Sequence, residues 1–571
     1  MKWILSALAI LALVLVLFKG FSSEALVLPV AFSPAPVSAL YDNGQIYTAD
    51  PEQPWAEALV SRADRIVFVG TSEGAAAYTD AQTQRFDLRG RFVMPGIIDS
   101  HTHPGLIAAL GGEPATQASM PAKPKQAILD WLQTYADENP LELMIMQGSW
   151  DVAEFQPDGP SKQDLDEIFP YKPVLLFDNS GHSTWANSAL LTLAGVDKDT
   201  PALSENISYF VKDEQGEPTG WIKEFALIDM MQDLLLPDEA LLGKRLIETL
   251  YFFSSKGVTT LYDAGNFKLH DEFYALVSKL DRAGVLPIHI EGTYHIFEPS
   301  QIDIAREEIL ELRRKYAGGR LQFNTVKIHY DGVTEITTAG MLDPYVTEPD
   351  NRGGVLFSVE RLTDFILELD QAKLNLHLHA VGDRAARNIL DAVETAQSEK
   401  GGELVNEVSI SHLETVHPDD MPRFTALGVH ANFTPHWFGG SVFGAAGSNN
   451  LGPERASRSQ VVGAFFEHDA NVTFSSDTVT GDELHRSNPF IGIEMSMTRR
   501  EYGAGPKAPV LSPANAAVSL EQALIAYTRN GAAQLGIADT AGVLQPGAQA
   551  DFVVLDANPF EVEIDKLHRV S

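Results

Sequence analysis

Pro95-Gly96-Ile97-Ile98-Asp99-Ser100-His101-Thr102-His103 is the stretch that decides how the rest of the 571-residue chain is read. An apolar run that opens on Pro-Gly and closes on polar residues reads as a buried strand. At its end His101 and His103 stand two apart, and the period-two alternation of a strand turns both imidazoles toward one face. Two imidazoles so placed can chelate one cation, although a single His-x-His pair also serves to satisfy core polarity.

Working outward, seven further apolar, β-branched runs follow the one from Gly96 to His101. They are Val258 to Asp263, Val285 to Glu291, Phe323 to Tyr330, Leu374 to His379, Glu407 to His412, Gly428 to Phe433 and Asn471 to Asp477. Amphipathic segments separate them, the alternation expected of parallel strands with crossover helices. Eight such strands predict an α/β fold, a (β/α)8 TIM-like barrel over residues 96–504, with its chemistry at the C-terminal strand ends. His101, Lys327, His379, His412 and Asp477 lie at or near those ends. Each alone is more readily structural than functional; together with His103 they would converge on the barrel mouth, where four imidazoles and a carboxylate suit zinc or a similar borderline cation. Lys327 sits inside its strand, where an ammonium is costly to bury. Either it pairs with a carboxylate such as Asp331, or its neutral amine takes up carbon dioxide as a carbamate bridging two metals. His329 and His377 share strand faces with Lys327 and His379 and rank below them as ligands.

About 155 residues separate the first two strands, far more than one βα loop needs, so an inserted subdomain is expected over roughly 104–226. Short strand-like runs punctuated by turn residues fill 40–95 and recur in 505–571. The two ends of the chain are expected to build one small β-sandwich.

Composition narrows the function. Acidic residues outnumber basic ones 77 to 42, a formal charge of -35 that repels phosphate backbones, so no nucleic-acid partner is expected. The absence of cysteine removes disulfides, thiolate nucleophiles and cysteine metal ligands. Lys2 precedes an almost wholly apolar run from Trp3 to Phe18, the order of an export signal. Residues 1–39 are therefore read as a signal peptide or an N-terminal membrane anchor with a Pro-rich tether, placing the protein in the periplasm or outside the cell.

The combination resembles the amidohydrolase superfamily, and within it amidohydrolase family 3, the branch of N-substituted formamide deformylase-like proteins. The likeness rests on Pro95 to His103, on Gly181-His182-Ser183-Thr184-Trp185-Ala186-Asn187-Ser188, on Val326-Lys327 with Asp331-Gly332, on His379-Ala380-Val381-Gly382-Asp383-Arg384-Ala385, and on Ser476-Asp477. Gly542-Val543-Leu544 through Ala550-Asp551-Phe552 is similar to the family's C-terminal β unit, which in the family runs on through one more strand after the segment matching Phe560 to Val570. The resemblance implies that His101, His103, His379 and His412 bind one or two divalent metal ions, that Lys327 is the bridging, carboxylated lysine, and that Asp477 is both ligand and proton shuttle. It also implies a metal-dependent hydrolase acting on a non-peptide amide, N-formyl or N-acyl bond of a small molecule. His182 is a candidate to hydrogen-bond substrate or merely to cap a loop. Trp150 and His436 are candidates to line the pocket or to pack. The same metal site could instead open cyclic amides, esters or lactones or deaminate, and a catalytically silent envelope binding protein is the rival from another class. An oligomer is compatible with the composition.

Overall fold

The computed structural model describes residues 37–111, 120–228, 230, 236–439 and 445–571. The export-signal reading of the N-terminus lies almost wholly outside them, and a strand already begins at Ser38, within the stretch read as tether. No helix among the described residues is long and apolar enough to cross a membrane.

Eight parallel strands make the central sheet, and each pairs with the next in chain order. They are β1 (Ile97–Thr102), β2 (Val258–Asp263), β3 (His289–Ile296), β4 (Leu321–His329), β5 (Asn375–Ala380), β6 (Val408–His412), β7 (His430–Phe433) and β8 (Val472–Phe474). Side-chain and loop bonds bring the last strand back to the first. Ser100 Oγ donates to the Phe474 carbonyl at 2.9 Å, and the Asp477 N–H donates to the His101 carbonyl at 2.9 Å. The Ser476 N–H donates to Asp99 Oδ1 at 3.0 Å, so Asp99, Ser100 and His101 of the opening stretch together nearly close the barrel.

The third strand differs from its expected position. Val285 and Leu286 are buried but unpaired, and the ladder to β4 runs from Ile290 to Ile296. Pro287 explains the shift, since it has no N–H to give a central strand. The outer helices form where apolar residues recur on one face. In Asp383–Lys400 the buried positions are Ala385, Ala386, Ile389, Leu390, Ala392, Val393 and Ala396, and Gly401 ends the helix at a φ of 75°.

Between β1 and β2 the insertion forms a five-stranded sheet in the order Tyr209–Lys212, Pro218–Lys223, Ser183–Ala186, Val174–Asp178, Ile145–Trp150. Its core of Trp150, Trp185 and Trp221 is continuous with Val333, Ile336 and Met341 from the loop after β4. That shared core carries the insertion to the barrel mouth. Two further four-stranded sheets pack around Ile46, Leu59, Ile66, Val93 and Leu544. One contains Phe552–Leu555 antiparallel to Phe92–Pro95, so both ends of the chain contribute to the sandwich.

Candidate metal centre

The C-terminal ends of β1, β4, β6 and β8 and the residues just beyond them bring five side chains to one place. Asp477 Oδ1 lies 3.4 Å from His101 Nε2 and 3.3 Å from His103 Nε2, while its Oδ2 lies 3.4 Å from His412 Nδ1. Lys327 Nζ is 3.4 Å from His101 Nε2. Four donors at about 2.0–2.1 Å from a zinc-like ion form a tetrahedron whose edges are about 3.3–3.4 Å. The carboxylate–imidazole spacings are of that size, one donor each of His101, His412 and Asp477 lie within 4.8 Å of one another, and His412 Nδ1, buried without a hydrogen bond, is the kind of stranded donor that a cation would satisfy. The donor set therefore fits a divalent metal.

Backbone strain helps to aim these groups. His412 and Asp477 hold φ at 75° and 47°, a left-handed conformation that costs a side-chain-bearing residue about 1–3 kcal/mol. Burial holds His101 and His379 well below the usual histidine range and His412 at about 3, so their lone pairs are available. Burial alone would raise the Asp477 carboxyl, but the close approach of His103 and the nearby His412 and Lys327 outweigh it and hold the group at about 2. Burial also brings the Lys327 ammonium down to about 7, against the pull of Asp477.

A second layer sets tautomers. His103 Nδ1 donates to the Gly265 carbonyl at 2.6 Å, which turns Nε2 toward Asp477. His101 Nδ1 meets His377 Nε2 at 2.9 Å, and His377 Nδ1 meets Ser409 Oγ at 2.6 Å. If each ring donates outward along this chain, His101 Nε2 keeps its lone pair for a cation. His377 thus stands behind His101 as an orienting group. Asp331 does not pair with Lys327, as one reading of the sequence expected. Its carboxylate instead accepts the N–H groups of Gly340, Val381 and Gly382 and meets His379 Nδ1 at 3.1 Å, because three converging backbone donors offer it more than one distant ammonium. His379 joins the cluster by ring contact, its centroid 4.4 Å from that of His412.

Of the three residues expected against substrate, His182 lies beside His379. Its Nδ1 bonds Glu224 Oε2 at 2.7 Å, and its ring lies 6.0 Å from that of His379. Trp150 is fully buried in the insertion, its indole donating to the Leu176 carbonyl, and it serves packing as large apolar rings usually do. His436 is held with its ring nitrogens 3.3 Å from the Ser475 and Asn488 carbonyls. Neither presents a spare polar atom to the mouth; Trp437, next to His436, does stack on His412 with centroids 5.5 Å apart. Sequence reasoning missed Glu224, whose only local signal is the charged Lys223-Glu224 pair ending an apolar strand of the insertion.

The sequence profile of the Amidohydrolase family matches residues 84–571. The chain belongs to the amidohydrolase family. As an amidohydrolase it is a hydrolase, and its relatives include the exoenzymes regulatory protein AepA of Pectobacterium carotovorum subsp. carotovorum, 29% identical over 407 residues, 70% of this chain and 85% of that protein. The N-substituted formamide deformylase of Arthrobacter pascens is 26% identical to this amidohydrolase, over 93% of this chain and 95% of the relative. Among solved structures, an uncharacterized metal-dependent hydrolase from Pyrococcus horikoshii OT3 shares the fold with a TM-score of 0.66 at 22% identity, covering 92% of this chain and 99% of that one.

Proposed function

We propose that this amidohydrolase cleaves a non-peptide carbon–nitrogen bond, an N-formyl or N-acyl amide of a small molecule, with water activated at the centre formed by His101, His103, Lys327, His379, His412 and Asp477. The observation that carries the reading is the set of donor spacings of 3.3–3.4 Å around Asp477. A divalent cation held there, zinc by the borderline character of the imidazole and carboxylate donors, would acidify water and polarise a carbonyl oxygen. The chain's own groups supply the rest. Asp477 is ionised and faces His101 and His103 through one oxygen and His412 through the other, so it can ligate and still take a proton from water. Returned to the departing nitrogen, that proton lets the tetrahedral adduct collapse to acid and amine. Lys327, its ammonium brought down to about 7 by burial so that a substantial share of the amine is neutral near pH 7, is suited to take up carbon dioxide as a carbamate and so to hold a second ion. The likeness to a formamide deformylase supports the choice of bond, and the apolar run from Trp3 to Phe18 supports export or membrane anchoring.

The test is a panel of N-formyl and N-acyl amines beside cyclic amides, lactones, esters and aminopurines, assayed before and after chelation and zinc restoration. Preferential turnover of linear amides that disappears on chelation is expected. Turnover confined to lactones, esters or deamination would overturn the choice of bond, and a preparation inert with any metal would favour a binding protein.

A further inference from the structure

Beside the centre just described lies a second constellation that the proposed chemistry leaves unused. His182 comes from the insertion, Glu224 from the end of its Pro218–Lys223 strand, and His329 from the end of β4. One donor atom from each lies within 4.8 Å of the other two. The Glu224 carboxylate has no solvent exposure, with Oε2 2.7 Å from His182 Nδ1 and 3.7 Å from His329 Nε2. Its other oxygen is already satisfied by Thr338 Oγ1 at 2.7 Å. His329 Nε2 is buried and makes no hydrogen bond, although it stands 3.7 Å from the carboxylate. A buried donor nitrogen left unmatched is costly, and burying a carboxylate demands a cationic neighbour.

We propose that His182, Glu224 and His329 form a second divalent-cation site of two imidazole nitrogens and one carboxylate oxygen, separate from the centre around Asp477. The 3.7 Å separation falls between the edge of a tetrahedron, about 3.4 Å, and the trans distance of an octahedron, about 4.2 Å, for bonds near 2.1 Å. The His182–Glu224 contact must open, by roughly 0.7 Å on the same bond lengths, as its hydrogen bond gives way to two coordinate bonds. Lys223, the nearest buried ammonium in sequence, does not compete for the carboxylate, because its Nζ is engaged by the Ile336 carbonyl and Thr337 Oγ1. The donor set suits zinc, cobalt(II) or nickel(II) better than calcium or magnesium, which prefer all-oxygen shells. The site meets the first centre at His379, on which His329 stacks with centroids 3.9 Å apart and which the His182 ring approaches to 6.0 Å. It joins the insertion to the barrel, so a cation there would clip the subdomain over the mouth.

The test is metal content of the full chain after equilibration with zinc, measured by inductively coupled plasma mass spectrometry, with anomalous diffraction at the zinc edge. Glu224→Gln and His329→Gln are each expected to lose about one equivalent per chain relative to wild type, whereas Asp477→Asn keeps that equivalent, and an anomalous peak should lie between Glu224 and His329. Unchanged zinc in both Gln variants, or no peak there, would overturn the proposal and leave His182 and Glu224 as an imidazolium–carboxylate pair. Should Glu224→Gln fail to fold by circular dichroism, His329→Gln decides, since it leaves that pair intact. A peak at this site with none at Asp477 would sink the hydrolytic reading while sustaining this one; a peak at Asp477 alone does the reverse.

Discussion

At the scale of single residues the centre works by withholding partners. His412 keeps a buried nitrogen free of hydrogen bonds, and Asp477 splits its two oxygens between β1 and β6 histidines. Asp477→Asn removes the charge and the proton acceptor while keeping the shape. It is expected to lower kcat on the best amide substrate by about 10²–10⁴-fold with the fold intact, and steady-state kinetics beside a thermal melt check this. His377 acts on a different quantity, since it touches only the back of His101. His377→Phe should weaken zinc affinity by about 10–100-fold, read by competition with a chromophoric chelator. An affinity equal to wild type would show that His101 needs no such support.

At the scale of elements, the mouth depends on how loops pack onto strand ends. The βα loop after β5 brings Gly382 against the loop after β4 so closely that an added Cβ would meet the Gly340 carbonyl oxygen at 2.2 Å. Both loops also donate N–H groups to Asp331, which in turn holds His379. Gly382→Ala should therefore cost about 1–3 kcal/mol and loosen His379, measured as a lowered midpoint in urea together with weaker zinc binding. On β3, burial pushes the Glu291 carboxyl up to about 7, against the hydrogen bonds from Asn324 and the charge of Arg313. A carboxyl raised on folding holds its proton more tightly when folded. Its contribution is whole below the unfolded value near 4.5 and is lost as pH rises through about 7. Glu291→Gln, neutral throughout, should gain on wild type between pH 5 and pH 8. A difference in Tm that stays constant over that range would refute the assignment.

At the scale of the whole molecule, strands from widely separated parts of the chain and an insertion from between β1 and β2 meet at one mouth. Metal bound at that mouth ties these parts together. Chelation should therefore lower Tm as well as abolish hydrolysis, and zinc should restore both. A ligand at 100 times its Kd stabilises by about 2.7 kcal/mol, so the shift is measurable by scanning calorimetry. A Tm indifferent to chelation would mean that the donors are held by protein packing alone.

The barrel was legible in the sequence because each strand carries its own local signal. Apolar runs stopped by polar residues are a property of neighbours along the chain, and Asp99 to His103, His379, His412 and Asp477 all stand where such runs stop. Pro287 shows the limit, since apolar character alone did not say which residues would pair. What only the tertiary structure decided is the company each polar group keeps. That Asp331 serves His379 rather than Lys327, that His377 backs His101, and that His182 and Glu224 reach across to His329 depend on contacts between residues 42 to 276 positions apart. Hydrogen bonds and ion pairs form through space between whatever donors and acceptors packing brings within about 3 Å. No local pattern of residues encodes that distance.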